Sequence, residues 1–147
     1  MKKLLATSIL LLAMVTLLNA QTKESVKYIN GDGSSTLPFS QAVRVGNILY
    51  LSGQIGSKPA GGLVEGGIGP ETRQIMENIK VVLEQNGSSM DKVIKCTCML
   101  ADIGDWAKMN AEYVKYFTKH KPARSSFGTS GLAMGAKAEI ECMASID

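Results

Sequence analysis

Ala42-Val43-Arg44-Val45-Gly46-Asn47-Ile48-Leu49-Tyr50-Leu51 carries the strongest local structure signal in the chain. Two apolar runs of strand length flank a Gly-Asn link, which favours a type II′ hairpin because glycine accepts the positive φ required at the first turn position. A sheet starts here. Ser52-Gly53-Gln54 closes the hairpin, and the glycine-rich segment 56–69 reads as a loop that borders a site. Its Gly61-Gly62 and Gly66-Gly67 pairs lack the Gly-Lys-Ser/Thr ending of a phosphate loop, so nucleotide binding has no motif.

Further along, Pro70 opens a helix that runs to about Asn86, with Ile75, Ile79, Val82 and Leu83 on one side and Gly87 placed to end it. Trp106, Met109, Tyr113, Tyr116 and Phe117 recur at spacings of three and four, which predicts a second helix over Asp105 to Lys119. Periodicity alone produces such an aromatic stripe, so it is expected in the core. Val93 to Ala101 lies between the helices as a strand, and the chain ends in another whose alternate residues Ile140, Cys142 and Ala144 face inward. Hairpin, helix, strand, helix, strand gives an α+β sandwich with two helices packed on one face of a sheet. The opposite face of the last strand carries Lys137, Glu139, Glu141 and Met143, a set suited to an interface or a site, and self-association is the economical way to cover it.

Towards the N-terminus, residues 21–36 are polar and glycine-rich around Asn30-Gly31-Asp32-Gly33 and read as an arm with a turn. Residues 1–20 read as a secretory signal peptide: Lys2-Lys3, an apolar run from Leu4 to Leu18, and Ala20 before a polar Gln21. The run is shorter than the roughly 17–25 residues of a membrane span. The expectation is export, to the periplasm or beyond, with one domain over residues 37–147 and no membrane attachment after cleavage.

An oxidising compartment makes the three cysteines matter. Cys96 and Cys98 alternate with Ile94 and Leu100 on one strand face, Cys142 faces inward from another strand, and buried inert thiols are the expectation over a disulfide or metal site. The formal charge of +3 is scattered singly, so no basic stripe exists for nucleic acid. The single histidine, His120, sits between lysines at a helix end and offers no Ser-His-Asp or Cys-His arrangement, and no metal-ligand cluster is apparent. What remains is an arginine with hydroxyls in Pro122-Ala123-Arg124-Ser125-Ser126, and carboxylates on the final strand. A guanidinium held after a stiff turn suits bidentate binding of a carboxylate, although the spacing fits a surface ion pair equally well.

Leu37-Pro38-Phe39-Ser40-Gln41-Ala42, the run from Val45 to Ile55, Met109-Asn110-Ala111-Glu112-Tyr113, Pro122-Ala123-Arg124-Ser125 and Ala138-Glu139-Ile140-Glu141 together resemble the successive motifs of the RidA/YjgF family. That family also carries the names endoribonuclease L-PSP and translation inhibitor. The resemblance implies a chorismate-mutase-like fold and a homotrimer with a site in each cleft between subunits. It also implies a cofactor-free and metal-free hydrolysis of reactive 2-enamine or 2-imino acids to 2-keto acids and ammonia. By resemblance Arg124 grips the substrate carboxylate, Glu139 holds or activates water, and Phe39, Ser52, Gly53, Asn110 and Ser126 line the pocket. Phe39 stands where many of these deaminases have a tyrosine, which removes a hydroxyl and bears on substrate choice; Ser126 replaces a common cysteine. The alternatives are a non-catalytic carboxylate-binding regulatory trimer and, weakest for want of a basic groove, an endoribonuclease.

Overall fold

The computed structural model describes residues 25–31 and 36–146. The expected signal peptide and part of the arm lie outside the described residues. One mixed sheet contains β1 (Val26–Ile29), β2 (Ala42–Val45), β3 (Ile48–Leu51), β4 (Gln54–Ile55), β5 (Val93–Leu100), β6 (Ala123–Gly128) and β7 (Ala138–Ser145). Its order is β1-β2-β3-β7-β5-β6, with β4 also on β7. Among the described residues only the β5–β6 pair is parallel, as a strand-helix-strand crossover requires. The helices α1 (Ile68–Gln85) and α2 (Trp106–Tyr113) pack on one face of this sheet, as the sequence predicts.

The β2–β3 hairpin forms with Val45 opposite Ile48. Gly46 takes φ 57° while Asn47 keeps a negative φ, the sign pattern of a type II′ turn. β1 was not expected: Val26–Ile29 lies in the segment read as an arm, yet pairs antiparallel with β2 and extends the sheet. Its alternation is too short and too exposed to stand out from a polar stretch.

The helix face of the sheet holds the core. Ile75, Met76, Ile79 and Leu83 of α1 and Leu49, Leu100, Met109, Ile140 and the three cysteines are essentially inaccessible to solvent. Each large side chain buried there contributes about 1.5–3 kcal/mol. α1 starts two residues before Pro70, and its acidic first-turn residue Glu71 is buried, accepting the Lys137 backbone N–H at 2.7 Å. That bond ties the helix to the entrance of β7. Asn78 donates to the carbonyls of Ile55 (3.2 Å) and Ser57 (3.0 Å), clamping β4 against α1.

Three expectations need correction. The phase of β5 shifts at a bulge between Val93 and Lys95, so Val93 is buried and Ile94 points outward, while Cys96, Cys98 and Leu100 remain inside. The second helix is α-helical only through Tyr113 and tightens to a 3₁₀ turn over Val114–Tyr116. Cys96 and Cys142 are not inert thiols but a disulfide: they face one another in the β5–β7 register, with Cα atoms 4.2 Å apart. Cys98 alone is a free, buried thiol among the described residues.

Candidate active site

Arg124 sits on β6, an edge strand, in register with Cys96 and therefore on the helix face. Its Nη1 donates to Asn110 Oδ1 at 2.6 Å. The guanidinium carbon lies 4.8 Å from the centre of the Tyr113 ring and 5.8 Å from that of Trp106. Trp106, Asn110 and Tyr113 follow the i, i+4, i+7 spacing that aligns side chains along one helix face, so α2 supplies an amide and two ring faces to one cation. The aromatic stripe is thus divided. Met109, Tyr113 and Phe117 are buried, Trp106 is exposed against the arginine, and the Tyr116 hydroxyl donates to Glu77 Oε1 at 2.8 Å across to α1.

Half-buried Arg124 has no carboxylate within ion-pair distance among the described residues; the carboxylates of α2 and its approach pair elsewhere, Glu112 with Arg73 and Lys115, Asp105 with Lys108. Ser126, two residues along the same strand face, and Tyr113 each keep a buried hydroxyl without a hydrogen bond among the described residues. Ser126 neighbours Cys98 in the β5–β6 register. Burial pushes the Cys98 thiol pKa up, partly offset by the Arg124 charge and the Ser126 hydroxyl, so it is held as neutral SH. Burial likewise drives the Tyr113 phenol well above its ordinary range, with nearby Cys98 adding to this and Arg124 opposing it. These groups leave a cation and unspent hydroxyls together, an arrangement that can receive an anion.

Glu139 is elsewhere. It lies on β7 opposite Met99, alternating with inward-facing Ile140, and so occupies the face of the sheet away from the helices. Its carboxylate rests over Gly53: a Cβ built on Gly53 would meet Glu139 Oε1 at 1.9 Å, so any side chain there would push the carboxylate aside. Ser52 donates its hydroxyl to the Ser40 carbonyl at 2.7 Å and its N–H to the Gln41 carbonyl at 3.1 Å, which ties the Phe39 segment beside Gly53. A cleft of about 1010 Å³ runs along Gly53, Phe39, Leu37, Ile55 and Met134.

The sequence-predicted residues therefore form two groups on a single chain. Phe39, Ser52, Gly53 and Glu139 lie together, as do Arg124, Asn110 and Ser126, but the cleft beside Gly53 shares no residue with the hollow lined by Asn110, Tyr113, Pro122 and Arg124. Motif reading identified neither the Trp106–Tyr113 platform nor Met134. The helical spacing displayed the platform, but nothing local showed that β6 would run beneath it.

The family profile described as Endoribonuclease L-PSP matches residues 33–146. Protein HMF1 of Saccharomyces cerevisiae is 45% identical over 106 residues, covering 72% of this chain and 82% of that protein. The 2-iminobutanoate/2-iminopropanoate deaminase of Homo sapiens is 41% identical over 108 residues, 73% of this chain and 79% of the human protein. In structure, the YjgF gene product of E. coli superposes with a TM-score of 0.74 at 33% identity, covering 81% of this chain and 98% of that one. The yeast protein YEO7 gives a TM-score of 0.79 at 38% identity over 84% of this chain and all of that one. An α+β protein of the YjgF fold is thereby defined, and the chain belongs to the RidA/YjgF, or Endoribonuclease L-PSP, family.

Proposed function

We propose that this protein hydrolyses reactive 2-enamine and 2-imino acids to 2-keto acids and ammonia, as a homotrimer whose sites are completed between subunits. The observation that carries the reading is Arg124, a half-buried, oriented guanidinium without a carboxylate partner among the described residues. Leaving such a cation uncompensated costs stability unless an anion is its intended partner. The deaminase names of relatives such as the human protein point to the same chemistry.

In the proposed reaction Arg124 forms a bidentate pair with the substrate carboxylate and fixes the imine carbon. Glu139 takes a proton from a water as the water oxygen bonds to that carbon, and passes this proton to the imine nitrogen as the C=N double bond becomes single. Proton transfer from the new hydroxyl then forms the keto C=O as the C–N bond breaks and ammonia leaves. The sum is imine plus water giving keto acid plus ammonia.

Arg124 and Glu139 occupy opposite sheet faces, so the two halves act together when Arg124 of one subunit meets Glu139 of another. Self-association is supported by the open sheet face, where Val43, Val45 and Ile48 are only half-buried and Tyr50 is exposed. Export after removal of residues 1–20 belongs to the same proposal, supported by the Cys96–Cys142 disulfide.

A second reading, a carboxylate-binding regulatory trimer without catalysis, draws on Phe39, which lacks a hydroxyl, and on Ser52, whose proton is committed to Ser40. Co-expression of Arg124→Ala with Glu139→Gln tests the proposal. Each variant alone is expected to be inactive, while random mixed trimers regain about a quarter of the wild-type sites, because one subunit supplies each intact half. Mixed trimers that bind 2-keto acids but show no turnover support the regulatory reading instead.

A further inference from the structure

We infer that the cleft beside Glu139 is a side-chain pocket that selects 2-imino acids with branched or otherwise bulky apolar side chains over the small alanine-derived imine. The inference rests on the proposed reaction for the identity of the reacting group, and on the cleft itself for the selectivity. Leu37 and Phe39 from one segment and Met134 from another expose 60%, 54% and 68% of their surface, and converge on one cavity that also meets Ile29 and Ile55. Large apolar side chains left in water and gathered around a concavity mark a binding surface.

Met134 adds a second, independent observation. It holds φ 58° and ψ 12°, the left-handed conformation that glycine and asparagine adopt readily and that a longer side chain adopts at a cost. Strain of this kind persists where the surroundings require it, and here it delivers an unbranched, adaptable apolar side chain to the cleft.

The position of the cleft identifies its occupant. Gly53 lines it, and the Glu139 carboxylate lies over Gly53, so a substrate whose imine carbon is attacked by a Glu139-held water directs its side chain along this cavity. A methyl group would leave water against the apolar walls at Phe39 and Met134, whereas an isobutyl or benzyl group displaces it. Each added methylene in such a pocket is worth about 10-fold or more in discrimination. Phe39, with a ring and no hydroxyl, suits that wall.

The test compares imines generated by an L-amino-acid oxidase from leucine, phenylalanine and alanine, with calorimetry of 4-methyl-2-oxopentanoate and pyruvate alongside. The purified protein is expected to favour the leucine- and phenylalanine-derived imines by at least about tenfold in kcat/KM, and the bulky keto acid by a similar factor in Kd. Met134→Asn, which tolerates the left-handed backbone, is expected to shrink both ratios severalfold; Met134→Gly serves the same purpose if the first variant folds poorly. Turnover without preference, or equal keto-acid affinities, overturns the pocket and leaves the deaminase standing, and points to a neighbouring subunit as the cleft's occupant. Preferential binding of the bulky keto acid without turnover upholds the pocket and removes the deaminase.

Discussion

Glu139 Oε1 lies over the Cα of Gly53, in the space where any side chain at that position would begin. The carboxylate's placement is thus set by the absence of a Cβ as much as by the course of β7. Gly53→Ala is expected to displace Glu139 by about an ångström, enough to cost on the order of 100-fold in kcat. Paired kinetics and thermal melts check this. A variant as active as the wild type removes the geometric role of Gly53.

Asn110 orients Arg124 through a single short bond. Asn110→Ala leaves the charge but frees the fork, so substrate or keto-acid affinity should fall roughly 10-fold, the scale of one hydrogen bond to a charged group. Arg124→Lys should fall further, because an ammonium cannot reproduce the bidentate geometry. Calorimetry with a 2-keto acid measures both, and unchanged affinity in Arg124→Lys contradicts a bidentate site.

The Cys96–Cys142 disulfide closes a loop of 46 residues between the core strands β5 and β7. Reduction is expected to lower stability by roughly 2–4 kcal/mol. Urea unfolding with and without reductant reads the difference, and intact mass under non-reducing alkylation should show one modifiable thiol, Cys98, and only after unfolding, since it is buried and held neutral. Rapid alkylation of two or three native thiols contradicts the pairing.

The clamp between the helices titrates at high pH. Burial pushes the Tyr116 phenol up to about 12 from its ordinary 10, with the hydrogen bond to Glu77 and its charge acting in the same direction. Its folded pKa is raised, so the contribution is fully present below pH 10 and is lost as pH climbs from 10 through about 12. Glu112 shows the opposite sign: the Lys115 bond first, and Arg73 with it, hold its pKa below 4.5, so its contribution is present above 4.5 and fades as pH falls through the lowered value. Stability should therefore decline on both flanks, and Tyr116→Phe should flatten only the alkaline one. An alkaline limb unchanged in Tyr116→Phe assigns the loss to other groups.

Local chemistry made the hairpin legible, because Gly46-Asn47 dictates its own turn, and periodicity made α1 legible down to its buried residues. Features that depend on pairing between distant strands were not. The alternation at Ile94 misled because a bulge between Val93 and Lys95 reverses the phase, and the disulfide required knowing that β5 and β7 are neighbours with Cys96 opposite Cys142. Motif order named Arg124, Asn110, Ser52, Gly53 and Glu139 as one site. Their division between the two faces of the sheet follows from register, which a linear sequence does not display. Met134 escaped notice for a similar reason: its left-handed backbone has no signature in a methionine.

Deamination by this protein is tested by release of keto acid and ammonia from freshly generated 2-imino acid, with Arg124→Ala run beside the wild type and the oligomeric state of each determined by light scattering. Trimers are expected in both cases, with turnover in the wild type and a loss on the order of 100-fold or more in the variant. Full activity in a folded, trimeric Arg124→Ala protein would remove Arg124 from the reaction and the deaminase proposal with it.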